Sequence, residues 1–322
     1  MNRNLLPLLL LTACSTLSSE ERDKLAFHQR NAKIYYDSGK YEQAMGQIDR
    51  GLRYDPDDYL LNSLHGAILL RFSGSALGTE HRQLDEATAL LAKVYDQRSV
   101  RRHEPYLLLN YALALQKQGR RQLGSALSLE DRATRAGDGD ALRQQAAAAR
   151  ATGREQLLEA RRLLLAMVER GDQPRLGNYH LLLLAQDLND PPGFDQAERG
   201  YLEQLAKDQR VLTRNKDLAV NPVHEQEFGS LLDELKREEI DARSLLAEEH
   251  FFRKDYQRAA GMLDRVLELD PSRTADYYNR GRALLELGRA EAAHADFRKF
   301  LAQTDLPPDH EKRTFAYQAL LR

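Results

Sequence analysis

The feature that constrains this chain most is that it repeats itself. With Ala32 as origin, Gly39, Tyr41, Ala44, Ile48 and Pro56 follow at +7, +9, +12, +16 and +24, and Ala247 is followed at the same offsets by Lys254, Tyr256, Ala259, Leu263 and Pro271. A third copy begins 34 residues after the second, at Gly281, with Gly288, Ala293 and Phe297 in register and Phe300 at +19 matching Val266. A unit of this length cannot bury its apolar face alone, so neighbouring units have to stack. The spacing has a physical reading. Ala32 and Ala44 let two antiparallel helices approach closely, and Gly39 ends the first in a left-handed cap. Tyr35, Tyr41 and Ile48 fill the space between them at helical spacing, and Pro56 forces the turn into the next unit. Composition agrees: 10 Pro, 19 Gly and no Trp, with 42% hydrophobic residues, suit long helices around a core.

These residues resemble the tetratricopeptide repeat (TPR), in which small residues mark the crossing of two helices and Pro closes the second. The resemblance implies an all-α fold, an α-solenoid of about six helix-turn-helix units with an irregular middle. Repeats are expected over 25–210, with Leu60–Arg71 and Leu84–Leu91 as one pair. Pro105–Gly119 opens another, whose partner is delayed to Glu155–Arg170 by a helical insertion at about 120–154. Tyr179–Asp187 pairs with Phe194–Ala206. Residues 211–239 read as an irregular connection and one extra helix, 240–307 as two C-terminal repeats, and 308–322 as a capping helix. For the middle alone, long α-α hairpins of another kind stay open.

The N-terminus is not part of this pattern. Residues 1–13 have a short positive start, the run Leu5-Leu6-Pro7-Leu8-Leu9-Leu10-Leu11 and small residues after it, the form of a cleaved secretory signal. The run is too short to cross a bilayer. Leu11-Thr12-Ala13-Cys14 resembles the lipobox of bacterial lipoproteins, and Cys14 is the single cysteine of the chain. The resemblance implies a signal peptide at 1–13, lipidation at Cys14 and a tether over 14–24; a plain signal peptide with an ordinary cysteine is the alternative. By likeness to enteric lipoproteins, Ser15 after Cys14 favours the outer membrane, facing the periplasm of a Gram-negative bacterium.

Chemistry is conspicuous by its lack of motifs. One cysteine excludes an internal disulfide and any CxxC site, the nine histidines lie singly, and His224-Glu225-Gln226-Glu227-Phe228 lacks the second His of a zinc protease. There is no phosphate-cradling glycine loop and no nucleophile elbow. Enzymatic activity, a cofactor, a metal and a small-molecule substrate are therefore not expected. The formal net charge of -2 argues against nucleic acid. In the family, ligands lie in the groove lined by the first helix of each unit. Carried onto matching positions, that groove would present Gln29, Lys33 and Tyr36, then Ser244, Glu248 and Phe251, then Tyr278, Arg282 and Leu285. Asn110 and Asn279 sit two residues before a crossing position, where family members that clamp peptide backbones carry Asn, although the full carboxylate-clamp set is missing. Tyr36, Phe251, Phe252 and Tyr278 can be read as groove anchors or as packing residues. The expected partners are envelope proteins or peptide segments, with membrane attachment through Cys14. A second reading, a polysaccharide-export component holding an anionic glycan, rests on Arg98, Arg101, Arg102, Lys117, Arg120 and Arg121; the plainer one makes these helix-capping, solubilising arginines.

Overall fold

The computed structural model describes residues 17–73, 80–96, 105–135 and 139–321. The signal segment, Cys14, Arg98, Arg101 and Arg102 lie outside the described residues. Those described hold thirteen α-helices and no strand, in two compact units whose boundary follows Leu202.

Unit 1 begins with α1 (Ser19–Asp37) and α2 (Tyr41–Gly51), then α3 (Tyr59–Phe72) and α4 (Glu80–Asp96), α5 (Pro105–Arg135) and α6 (Asp140–Glu169), and α7 (Pro174–Leu188) with the start of α8 (Pro191–Asp217). Each is an antiparallel hairpin, and α3 packs on both α1 and α2, which is solenoid stacking. Ser18 and Glu21 form a reciprocal capping box that starts α1. Ala32, Ala44 and Ile48 are fully buried at the positions the period assigns to the helix crossing. The Asp-Pro pair after the second helix has a role the period alone did not disclose. Asp55 accepts a hydrogen bond from the Asp57 N–H at 3.0 Å and Asp270 from the Ser272 N–H at 2.9 Å, so each aspartate closes a local turn.

The segment at 120–154, read as a helical insertion, is helical where described and continuous with the helices of the pair. α5 and α6 run on as helices of 31 and 30 residues, and 120–154 supplies their outer halves and the link between them. The physical cause is a run of small residues: Ala126 and Ala146 are fully buried, Ala133 is nearly so, and a Cβ on Gly119 would lie 2.8 Å from the Gly153 carbonyl oxygen. Two helices that close can continue side by side.

Unit 2 contains the end of α8, then α9 (Pro222–Phe252) with α10 (Tyr256–Leu269), α11 (Thr274–Glu286) with α12 (Ala290–Gln303), and α13 (Glu311–Leu320). Within 211–239, read as an irregular connection and one extra helix, α9 begins at Pro222, because Asn221 caps it through the Val223 N–H at 2.9 Å and Pro222 occupies its first turn. Within α9 the buried Glu239 accepts from Gln209, Arg243 and Arg265. Burial alone would raise its pKa, but these three donors outweigh that and hold it below the usual carboxylate range. Gly281 is where Phe297 passes: a Cβ there would stand 2.8 Å from the Phe297 ring. On α13, Ala316 and Ala319 cover the last apolar face.

The position at +7 takes the same backbone in all three copies. Gly39 has φ 71°, Gly288 φ 71° and Lys254 φ 61°, and in each copy this residue's own N–H and the next one return to carbonyls at the end of the first helix. Lys254 holds this left-handed conformation with a Cβ, at a cost of roughly 1–2 kcal/mol. We expect Lys254→Gly to raise the stability of unit 2 by about 0.5–1 kcal/mol and Gly288→Ala to lower it by a similar amount, read as opposite shifts of the denaturant midpoint.

Candidate functional site

The first helices of the two complete unit 2 repeats, α9 and α11, together with α13, form a cleft of about 380 Å³. Ser244, Glu248 and Phe251 line it from α9, Tyr278, Asn279 and Arg282 from α11, and Glu311 and Lys312 from α13. All seven of the expected residues on α9 and α11 that carry polar or aromatic groups, Phe252 included, are therefore brought together. Leu285 is not among the lining residues; it packs against the core cluster instead.

The aromatic groups divide into floor and rim. Tyr278 is only 6% exposed, with its ring 5.1 Å from Phe300 and 6.0 Å from Phe315, so it is a packing residue whose edge reaches the cleft. Burial pushes its hydroxyl pKa up, partly offset by Arg282. Phe251 is half-buried, while Phe252 stands 72% exposed at the rim.

Arg282 is held unusually for this chain. Its guanidinium lies 4.4 Å from the Phe251 ring centre and 5.9 Å from those of Tyr278 and Phe315. No carboxylate pairs with it among the described residues. Lys312 stands 5.6 Å over Tyr278. Cation–π contacts of this kind orient a guanidinium while leaving its N–H fork unused. The cleft thus offers a fixed cationic fork on an aromatic shelf, with the Asn279 amide exposed beside it and two carboxylates, Glu248 and Glu311, on its margin.

Lys312 and Phe315 were missed, although the period marks them. Lys312 lies one repeat of 34 beyond Tyr278, which lies one repeat beyond Ser244, and Phe315 stands in the same relation to Gly281. Among the described residues α13 is the last helix, so no partner helix displays the pattern beside it.

In unit 1 the expected residues are mostly occupied with one another. The Asn110 side chain hydrogen-bonds the Tyr36 hydroxyl, whose pKa burial raises; the Tyr36 ring meets Tyr41 edge-on at 5.7 Å. Gln29 donates to Asp58, which caps α3, and Lys33 pairs with Asp37 at 3.0 Å. Of the arginine cluster, Arg120 reaches Asp187 at 2.7 Å and Arg121 reaches Asp85 at 2.6 Å, while Lys117 donates to the Leu70 carbonyl at 3.2 Å.

A family model described as tetratricopeptide repeat matches residues 246–320. Residues 246–320 carry tetratricopeptide repeats. The matched stretch runs from the end of α9 through α13 and so contains most of the cleft. TPR folds serve protein–protein interaction, and the structure is all-α throughout the described residues. No curated protein matches the sequence. Solved structures similar to it include the TPR2AB domain of yeast Sti1 in complex with pHSP90 (12% identity, 93% of this chain and 82% of that one, TM-score 0.25). Yeast Tom70 (13%, 94% and 70%, 0.23) and the P58(IPK) TPR domain (16%, 92% and 98%, 0.19) are others. Likeness at that level carries no functional weight. No described helix is long and apolar enough to cross a membrane, and no group of His, Cys, Asp and Glu suited to a metal occurs among the described residues.

His180 on α7 belongs to the setting of Arg120. Its Nδ1 is buried without a hydrogen-bond partner, and burial, helped by Arg120, pushes its pKa down to about 4. The unfolded chain therefore binds the proton more readily, so this contribution is complete above about pH 6.5 and is lost as the pH falls toward 4. Denaturation of the wild type should show a loss of roughly 1–3 kcal/mol across that window, and His180→Gln should flatten the profile.

Proposed function

We propose that this protein is a lipid-anchored, non-enzymatic scaffold of the bacterial envelope, facing the periplasm, which holds partner proteins by an extended segment laid in the unit 2 cleft. The observation that carries this reading is Arg282. Its guanidinium is fixed by Phe251, Tyr278 and Phe315 and pairs with no carboxylate among the described residues. An acidic side chain or a chain-terminal carboxylate of the partner would take the fork, its backbone would meet Asn279, and an apolar neighbour would lie against Phe251 and Phe252. Three acyl chains at Cys14, as the lipobox resemblance implies, would confine the protein to a surface and raise its effective concentration for membrane-associated partners. The polysaccharide reading draws less support, because Lys117, Arg120 and Arg121 are already engaged by Leu70, Asp187 and Asp85.

In-cell crosslinking of the tagged full-length protein, with mass spectrometry of what co-purifies, tests the proposal. Arg282→Glu should reduce capture of a small set of envelope proteins by at least about tenfold, since a charge-assisted hydrogen bond is worth roughly 1.5–3 kcal/mol. Arg282→Lys should retain part of it, the fork being lost and the charge kept. An unchanged set of partners in Arg282→Glu would remove the cleft from the mechanism. Co-purifying polymer without protein would replace this reading with the glycan one.

A further inference from the structure

The outward side of α1 carries two large apolar side chains that nothing in unit 1 covers. Phe27 is 60% and Ile34 51% exposed. They lie seven residues apart, just under two helical turns, and so share one face. The opposite side of the helix is the buried one, with Leu25 and Ala32 in the core. Around the apolar pair stand Glu20, Asp23, Lys24 and Arg30, two acids and two bases, of which Lys24 and Glu20 are paired with each other. This face is therefore apolar at its centre and electrically balanced at its edge.

The chain that leads into α1 indicates what it meets. Between Cys14 and the first residue of the helix, Ser19, lie only four residues, Ser15–Ser18. Fully extended they span at most about 14 Å. On the lipoprotein reading, on which this inference rests, the acyl chains at Cys14 sit in the bilayer. The start of α1 is then held at headgroup depth.

We propose that α1 lies on the membrane surface, with Phe27 and Ile34 entering the boundary between headgroups and acyl chains. Lys24 and Arg30 extend their stems along the apolar pair and keep their charges among the headgroups. The balanced charge makes the contact apolar, so it is insensitive to salt. Two side chains do not hold a protein to a membrane; they orient one that the anchor already holds there.

The chain has no Trp, so Phe27→Trp places a single indole at the proposed contact. The full-length protein, purified from cell membranes, is reconstituted in vesicles of phosphatidylethanolamine and phosphatidylglycerol whose acyl chains are brominated. Its N-terminal peptide is weighed to establish acylation of Cys14. The expected result is an acylated Cys14 and indole emission quenched roughly twofold or more, unchanged at high salt. Ile34→Trp should behave alike, and Tyr317→Trp, an exposed position on α13, should not be quenched. Acylated protein with unquenched indoles at 27 and 34 would overturn this inference and leave the anchor standing. Crosslinking through position 27 to a second copy or another protein, without quenching, would assign the face to that partner and overturn it too. A Cys14 that is not acylated would overturn the anchor and this inference together.

Discussion

Two antiparallel helices pack at short distance only where one of them carries little or nothing beyond its backbone, and both units of this protein depend on that approach. Ala32 with Ala44, Ala247 with Ala259, and Gly281 with Ala293 supply it in the three regular repeats. Gly119 and Gly153 supply it in the long α5/α6 hairpin, where each backbone carbonyl stands where the other's Cβ would be. The left-handed residue at +7 then returns the chain at the right distance for the second helix to meet the first. Large side chains such as Ile48, Leu263 and Phe297 fill the space on either side of the crossing, where each fully buried one contributes roughly 1.5–3 kcal/mol. Because the crossing recurs, so does the alignment of the first helices, and their shared surface becomes the cleft.

Electrostatics in unit 2 separates structural arginines from a presenting one. Arg280 bridges Asp296 and Asp264, Arg273 reaches Asp276 and Asp241, and Arg243 and Arg265 both serve Glu239. In these the fork is consumed by carboxylates of the same unit; Arg243–Glu239 and Arg273–Asp276 are local pairs, and the others tie neighbouring helices together. Arg282 is positioned by rings instead. An aromatic face attracts a cation without accepting its hydrogen bonds in the manner of a carboxylate, so orientation is obtained while recognition capacity is kept. The same contrast runs through unit 1, where Arg120 and Arg121 satisfy Asp187 and Asp85, although the sequence presents them as an unopposed basic cluster.

The terminal repeats were legible because their signals are local. A small residue at the origin and at +12, a turn residue at +7 and Asp-Pro near +24 are each dictated by backbone sterics, and they survive divergence elsewhere. The groove positions Ser244, Glu248, Phe251, Tyr278 and Arg282 followed from the same register, and they do line one cleft. Legibility failed where the signal was an absence or a distance. Residues 120–154 looked like an insertion because the second helix of the pair came late, whereas alanine-rich faces let both helices simply lengthen. Residues 211–239 broke register and read as an irregular connection with one extra helix; what stayed hidden is that the helix started by Asn221 and Pro222 is 31 residues long and runs on into the next repeat. α13 read only as a cover, since no second helix is described after it, and its Lys312 and Phe315 went unnoticed beside the cleft.

What the sequence determined by itself is the all-α repeat, its period, its crossing residues and its turn. These depend on chain geometry within some 34 residues and need no knowledge of the rest. What only the tertiary structure decided is which of the candidate side chains are free to act. Gln29, Lys33 and Arg120 have found partners within unit 1; Tyr278 is spent on packing; Arg282 keeps its fork open on a shelf of rings drawn from α9, α11 and α13. The Lys33–Asp37 pair is local, four residues apart on α1, but the partners of Gln29 and Arg120 lie 29 and 67 positions away, and no local pattern records those meetings.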